Sequence, residues 1–368
     1  MGGPLKIGVV GAGKISGQYS ETIARLPELA VTAVADLDAG RAAALADQHP
    51  GARAVALADL YAADVDVVLN LTTPGGHAEV ALAALAAGKH VYGEKPLAAT
   101  SPDGRAIVDA ATDTGLRAAC APDTVLGTGV QTARAALEAG AIGTAHAATA
   151  FMTAAGHERW HPDPEFYYQP GGGPLLDMGP YYLTALVHLL GPVRRVTGMS
   201  ARPRAERTVA TGPKAGTSFP VAVDSHLTGI LEHESGALTT LVMSFDVWAA
   251  RLPRIEVYGS AGSLSLPDPN HFAGEVGLFT AEAGEWSVLE PSAGYAEAGR
   301  GVGLLDLHDA LAEGRPHRAA ADVALHLLDV MESMQTAADT GATLEISTTC
   351  ERPAAIDKLI ALPSVRVA

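Results

Sequence analysis

The chain of 368 residues contains only two cysteines, Cys120 and Cys350, which lie far apart and lack metal-ligand spacing. A disulfide framework or a cysteine-rich zinc site is therefore not expected. Basic residues are also scarce, because 25 lysines and arginines stand against 41 acidic residues, a formal charge of −16. This charge disfavours nucleic acid or an anionic membrane as a partner.

Long apolar runs are missing as well. No uninterrupted stretch approaches the roughly 20 apolar residues that span a bilayer, and the first residues show no signal-peptide core. We therefore expect no membrane segment and a cytoplasmic location. The composition, with 48% hydrophobic and 18% charged residues, is typical of a well-packed protein. The length predicts two domains.

The order of apolar runs predicts two different architectures. The first third alternates short apolar strands with alanine-rich helices, which indicates βαβ units and a parallel sheet, an α/β domain over 1–124. Beyond it, long strands between 193 and 290 and helices near 302–313 and 321–340 predict an α+β domain with a large, mainly antiparallel open sheet. This domain is expected over 125–368, with its final segment returning to the first.

The segment GAGKIS (11–16) lies between a predicted strand and a predicted helix. Glycines here permit a tight turn and let the backbone approach a pyrophosphate at the helix N-terminus, as in a Rossmann dinucleotide site. Ser16 replaces the third glycine of the usual pattern. Asp36 ends the second strand, where an acid bonds the adenosine ribose hydroxyls, so NAD is expected rather than NADP. The predicted cofactor-binding residues of the loop are Gly11, Gly13, Lys14 and Ile15.

Two further motifs end the third and fourth predicted strands, and ligands bind at the carboxyl ends of parallel strands. TTPGGH (72–77) and GEKP (93–96) are therefore expected to flank the cofactor, although His77 could instead begin its helix. In GEKP the acid and the lysine point to opposite faces, and the proline favours an extended lysine. The residues predicted to bind the cofactor here are Thr72, Pro74, His77, Glu94 and Lys95.

The segment GGGPLLDMGPYYLT (171–184) begins a helix on which Asp177 and Tyr181 lie one turn apart on one face. A phenol titrates near about pH 10, and a nearby ammonium such as Lys95 would favour the phenolate needed for base catalysis. Pro180 is tolerated if Asp177 lies near the N-cap. The alternative is an ordinary cap at Asp177 and a packing role for Tyr181. Tyr182 points away and is expected in the core.

The preceding loop, GHERWHPDPEFYYQP (156–170), is rich in aromatic residues. Flat aromatic rings provide apolar walls for a ligand, while His and Tyr tips bond hydroxyls. The alternative is a loop buried at a junction. Two histidines four positions apart could bind a metal, but prolines at 162 and 164 and the lack of a third ligand argue against one. The predicted substrate-binding residues are His157, Trp160, His161 and Tyr168.

Taken together, the G-x-G turn with Asp36, the E-K-P motif and the G-G-G-x-L-x-D-x-G segment make the chain resemble the Gfo/Idh/MocA family over essentially its whole length. The resemblance implies an NAD(P)-dependent oxidoreductase acting on a sugar, cyclitol or related polyol. It maps the family's lysine to Lys95 and its helix acid to Asp177. Many members carry histidine where this chain has Tyr181, which is similar to the glucose–fructose oxidoreductase and dihydrodiol dehydrogenase branches.

The catalytic residues are thus predicted to be Lys95, Tyr181 and Asp177, with hydride passing between the substrate carbon and NAD. Two alternatives stay open: a non-catalytic dinucleotide-binding sugar sensor of the same fold, and an enzyme that never releases its cofactor. A homodimer or homotetramer is expected through the second-domain sheet.

Overall fold

A computed structural model describes residues 3–363 and divides the chain into two compact units. The first unit contains the described residues up to Gln131, together with Ala293–Leu328 and the segment from Pro353 onward. The second unit contains Thr132–Ser292 and Asp329–Arg352. The predicted boundary near 124 differs from this division, since residues 293–328 make their contacts in the first unit.

The first 138 residues alternate strands and helices as expected. Two short elements, β3 and α3, were not predicted, because two and six residues show too little periodicity to be recognised. In chain order the elements are β1 (Leu5–Val10), α1 (Ser16–Ile23), β2 (Leu29–Ala35), α2 (Ala39–Ala46), β3 (Arg53–Ala54), α3 (Leu57–Ala62), β4 (Val67–Asn70), α4 (His77–Ala86), β5 (His90–Gly93), α5 (Ser101–Thr114), β6 (Ala118–Cys120) and α6 (Thr128–Glu138).

Strands dominate the rest of the chain, and the two late helices have the predicted bounds. The elements are β7 (Ala145–Thr153), α7 (Pro174–Leu190), β8 (Val193–Ala201), β9 (Glu206–Thr208), β10 (Ser218–Pro220), β11 (His226–His233), β12 (Leu238–Ser244), β13 (Ile255–Gly259), β14 (Gly262–Leu266), β15 (Val276–Thr280), β16 (Trp286–Leu289), β17 (Gly294–Ala296), α8 (Val302–Glu313), α9 (Ala321–Thr340), β18 (Leu344–Glu345) and β19 (Leu359–Ala361).

In the first unit six parallel strands form one sheet in the order β3-β2-β1-β4-β5-β6. Strand residues such as Val68 and Val91 are buried with apolar side chains of α4 and α5. Burial on both faces explains why these strands read as continuous apolar runs. The predicted Rossmann architecture is confirmed.

In the second unit nine strands form one sheet in the order β16-β15-β14-β13-β7-β12-β11-β8-β18. Neighbours are antiparallel except β7 and β12, which confirms a mainly antiparallel sheet. Helix α7 packs on β7, β11 and β12. Along β11, Leu227 and Leu231 are buried while Ile230 between them is exposed, so the sheet has one covered and one open face.

The N-terminus of α8 is capped by a residue from the loop after β6, far away in the sequence. Asp123, in the loop after β6, is fully buried, and its Oδ2 accepts the backbone N–H groups of Gly301 and Gly303 at 2.8 and 3.0 Å. A carboxylate at a helix N-terminus satisfies its unpaired donors and complements its dipole. This long-range cap holds α8 against the first unit. Among the described residues, no helix is both long and apolar enough to cross a membrane.

Candidate active site

The glycine loop follows β1 in the first unit. Gly11 has φ +100°, and a Cβ there would lie 2.7 Å from the backbone oxygen of Leu71, so only glycine fits. A Cβ on Gly13 would meet nothing within 4 Å, which leaves open space beside the start of α1. Ser16 donates its hydroxyl to the carbonyl oxygen of Gly13 at 2.7 Å and closes the turn. Lys14 is exposed and Ile15 half-buried.

Asp36 follows β2 and supports this loop directly. Its Oδ2 accepts the backbone N–H of Ala12 at 2.7 Å, and its Oδ1 accepts the N–H of Asp38 and the guanidinium of Arg41 at 2.8 and 2.9 Å. Partial burial opposes the charged form, but these hydrogen bonds and Arg41 lower the pKa of Asp36 overall. The carboxylate is therefore ionised at neutral pH and oriented towards the glycine loop.

The loop after β4 is braced by His77. Its Nδ1 lies 2.6 Å from the carbonyl oxygen of Pro96, and its Nε2 lies 3.1 Å from that of Thr72. The ring is buried and ties two loops together, and α4 begins at His77, which is the alternative that the sequence left open. Direct contact with the cofactor stays a prediction. Thr72 is half-buried and Pro74 is exposed at the start of a short 3-10 turn.

Glu94 and Lys95 are adjacent residues that follow β5 and differ in burial. Glu94 is buried and accepts the hydroxyl of Tyr19 at 2.7 Å and the backbone N–H of Lys95 at 3.1 Å. Burial and the Glu94 carboxylate raise the pKa of Tyr19, so its hydroxyl remains a donor. The Lys95–Pro96 peptide bond is cis. Lys95 is half-buried, and the cofactor contact predicted for Glu94 stays a prediction.

These four loops follow neighbouring parallel strands and so share one edge of the first-unit sheet. The open space at Gly13, the N-terminus of α1 and an oriented carboxylate at Asp36 fit the pyrophosphate and ribose of a dinucleotide. The residues present thus suit an NAD site.

In the second unit, α7 presents the predicted acid and phenol. It begins at Pro174 after Gly173, whose φ is +90°, and Asp177 lies in its first turn. Tyr181 follows one turn later and is only 5% exposed. Because the helix starts earlier than a cap at Asp177 would require, Pro180 lies inside it, where the expectation had placed it in the unpaired first turn. Tyr182 is fully buried, as expected.

The structure joins two predicted residues that sequence reasoning had kept separate. Nε2 of His157 lies 2.9 Å from Oδ2 of Asp177, and both side chains are largely buried. The His157 ring packs against Tyr167 and Phe245, each with a centroid separation of 4.3 Å. No sequence signal links these residues, because the pair spans 20 positions and a change of element.

Tyr168 lies inside the second unit and supports this pair, and its predicted contact with a substrate stays a prediction. It is fully buried, its hydroxyl accepts the backbone N–H of His157 at 2.9 Å, and it donates to Glu158. Arg207 pairs with Glu158 at 2.8 Å and with Asp246 at 2.6 Å. Sequence reasoning missed this buried network, since nothing in a single chain marks Arg207 as buried.

The outer part of the aromatic loop remains accessible. Trp160 is 55% exposed, and its ring centroid lies 5.1 Å from that of His157. His161 is half-buried and accepts the backbone N–H of Asp163 at 3.1 Å. These two side chains keep the surface that a sugar contact needs.

The fold and the glycine loop define a dinucleotide-binding protein, and comparison with known proteins defines its family. A model described as "Oxidoreductase family, NAD-binding Rossmann fold" matches residues 5–121, and the "GFO/IDH/MocA C-terminal domain" matches residues 130–265. A dTDP-3,4-didehydro-2,6-dideoxy-alpha-D-glucose 3-reductase of Streptomyces violaceoruber is 34% identical over 62% of this chain and 67% of its own length. The chain belongs to the Gfo/Idh/MocA oxidoreductase family, whose first-domain model describes an NAD-binding Rossmann fold.

Other relatives match over less of their length or at lower identity. Inositol 2-dehydrogenase of Klebsiella pneumoniae strain 342 is 42% identical, but the match covers 31% of this chain and 35% of that protein, about a third of its length. An NAD binding oxidoreductase from Klebsiella pneumoniae has a TM-score of 0.81 at 21% identity, covering 94% of this chain and 99% of its own. Levoglucosan dehydrogenase has a TM-score of 0.80 at 21% identity over 95% and 100%. These structures confirm the fold.

Proposed function

We propose that the protein is an NAD-dependent oxidoreductase that transfers hydride between nicotinamide and a hydroxyl or ketone carbon of a sugar, cyclitol or related polyol. The observation that carries this is the position of Lys95, which follows β5 at the sheet edge that also holds the glycine loop and Asp36. A cation at that edge suits a substrate oxygen whose charge changes during hydride transfer. The relatives named inositol 2-dehydrogenase and levoglucosan dehydrogenase support the substrate class.

The catalytic roles follow from the chemistry of the side chains. Bound NAD supplies the hydride acceptor, or the donor in its reduced form. Lys95 donates a hydrogen bond to the reacting oxygen, and Tyr181 takes the hydroxyl proton during oxidation and returns it during reduction. Asp177 orients the substrate by accepting a hydroxyl hydrogen. Trp160 and His161 supply the apolar wall and polar contact of the sugar site.

The cofactor contacts are assigned in the same way. Gly11, Gly13, Lys14 and Ile15 bind the pyrophosphate through their backbone, and Thr72 and Pro74 border the nicotinamide end. Asp36 is an ionised acceptor for the ribose hydroxyls and repels a 2′-phosphate, so we propose NAD over NADP.

The test is the absorbance of the reduced cofactor during a panel of sugars and cyclitols, in both directions. Lys95→Ala and Tyr181→Phe should each lower kcat by about 100-fold to 10,000-fold with little change in NAD affinity. The neighbouring Tyr182→Phe is the control and should retain kcat. Bound nucleotide without turnover on any substrate would favour a sensor instead, and unchanged kcat in either variant would remove that residue from the mechanism.

We also propose a homodimer or homotetramer built through the open face of the second-unit sheet. Met199 and Ile230, on the paired strands β8 and β11, are 74% and 46% exposed, and Leu238 on β12 extends this apolar surface. A self-complementary apolar face suits a twofold interface. Ile230→Asp should lower the mass measured by light scattering, while Leu359→Asp, an exposed position of the first unit, should not. A wild-type monomer at micromolar concentration would contradict the interface.

A further inference from the structure

The contact between His157 and Asp177 has a defined direction. An ionised carboxylate can only accept hydrogen bonds, so the 2.9 Å contact requires the imidazole to donate its Nε2–H to Oδ2 of Asp177. In this tautomer Nδ1 carries no hydrogen. Nδ1 is buried and has no hydrogen-bond partner among the residues that the structure describes, so a hydrogen on Nδ1 would have no acceptor.

The His157 ring is also held in place. Tyr167 meets it edge-on at 81°, Phe245 is tilted at 43°, and Trp160 covers it at 63°. A ring enclosed by three aromatic side chains has little rotamer freedom. Its Nε2–H therefore presents a fixed donor to the first turn of α7.

The backbone of His157 is also fixed, by a hydrogen bond to Tyr168. Its N–H donates to the Tyr168 hydroxyl, and that hydroxyl donates to Glu158, which is paired with the buried Arg207. Gly156 precedes it with φ +106°, and a Cβ there would lie 2.3 Å from the Glu158 carboxylate and 2.4 Å from the Arg207 guanidinium. The chain can pass this ion pair only with glycine at 156.

We propose that His157 is a positioning residue, which acts on the substrate only through Asp177. By donating Nε2–H to one carboxylate oxygen, it fixes the rotamer of Asp177 and keeps that group an acceptor, suited to a substrate hydroxyl and unsuited to a substrate carboxylate. This inference rests on the proposed function, in which Asp177 orients a polyol. It assigns Asp177 a partner outside its own helix.

The kinetic test compares two substitutions of His157 with removal of Asp177. His157→Phe keeps the ring packing but loses the donor, and it should lower kcat/KM for the polyol by about 10-fold to 100-fold, with KM for NAD unchanged. His157→Gln restores an N–H at the Nε2 position and should recover most of this loss. In the double variant His157→Phe/Asp177→Ala the loss should equal that of Asp177→Ala alone, because His157 acts through the carboxylate.

A matched control is His146→Phe, which removes a 3.4 Å imidazole contact to the Thr144 carbonyl oxygen at the exposed start of β7 in the second unit. It should leave kcat/KM unchanged. Losses that multiply in the double variant, or a Gln variant as poor as the Phe variant, would overturn the positioning role.

A readout without turnover separates this inference from the proposed function. Nitrogen-15 NMR of the whole protein should show the His157 ring fixed as the Nε2–H tautomer, and Asp177→Ala should abolish that preference. A mixture of tautomers in the wild-type protein would overturn the inference. Failure of every polyol in the substrate panel would instead overturn the proposed function, and with it the positioning role, even if the fixed tautomer is observed.

Discussion

The glycine loop of the first unit and the aromatic loop of the second are both candidate binding segments, but their conformations are fixed in different ways. Residues 11–16 form a turn through local conformation, and the Ala35 carbonyl and the Asp36 carboxylate, at the end of β2, accept the N–H groups of Gly11 and Ala12. Residues 156–170 instead present side chains, and those are held by α7, Arg207 and Phe245. A backbone site can be built from a short motif, whereas a side-chain site depends on partners distant in sequence.

The largest effect is expected from removing Arg207, whose ion pair with Glu158 supports the aromatic loop of the second unit. Arg207→Met leaves Glu158 as a buried carboxylate without its ion-pair partner and leaves Asp246 with only the longer ion-pair contact to Arg204, so the free energy of unfolding should fall by about 3–5 kcal/mol. The control Arg195→Met breaks a partly exposed pair with Glu232 and should cost about 1 kcal/mol or less. Urea unfolding measures both, and equal losses would contradict a supporting role for the buried network.

The corresponding change in the first loop acts through backbone strain. Gly11→Ala places a side chain on a residue with positive φ, which costs about 1–2 kcal/mol. It also brings the new Cβ against the Leu71 carbonyl oxygen. NAD affinity should fall by about tenfold or more, as measured by calorimetry. Gly17→Ala, where the added Cβ meets nothing within 4 Å, should leave NAD affinity unchanged. Equal affinity in the Gly11 variant would contradict the need for glycine.

Cofactor choice tests Asp36, the side chain after β2 that bonds to the glycine loop. Asp36→Asn keeps an acceptor for the Ala12 N–H but removes the charge and releases Arg41, which then can pair with a 2′-phosphate. The ratio of kcat/KM for NADP to that for NAD should rise by about tenfold. Asp38→Asn, at the exposed cap of α2, should shift the ratio less. An unchanged ratio in the Asp36 variant would reject charge repulsion as the basis of selectivity.

The smallest expected effect is the acid sensitivity of the same loop. Because the folded-state pKa of Asp36 is lowered, its contribution to stability is present above its unfolded pKa of about 3.9 and is lost as pH falls through the lower folded value. Urea unfolding between pH 6 and pH 3 should therefore show a shallower loss of stability in Asp36→Asn than in the wild-type protein. If both proteins lost the same stability as the pH falls, other carboxylates would account for the acid sensitivity.

Much of the fold could be predicted from periodicity. The alternation of strands and helices predicted the parallel sheet, and α8 and α9 have the predicted bounds. The boundary at 124 did not anticipate that α8 belongs to the first unit, because its cap is supplied by Asp123, almost 180 positions earlier. For the candidate site, the burial of His77, Glu94 and Tyr168 could not be predicted, because each is buried by contacts with other segments.

The family and the two architectures could be predicted from the sequence, because they depend on the order of motifs and elements along the chain. The glycine loop and Asp36 could be predicted because they depend on local spacing. Only the tertiary structure decided which side chains of the aromatic loop are buried and which are accessible. It also decided that Asp177 has His157 as its partner, through a hydrogen bond between residues 20 positions apart. Periodicity identifies which face of an element is apolar, but the partner of a polar group depends on which segments the folded chain brings within about 3 Å.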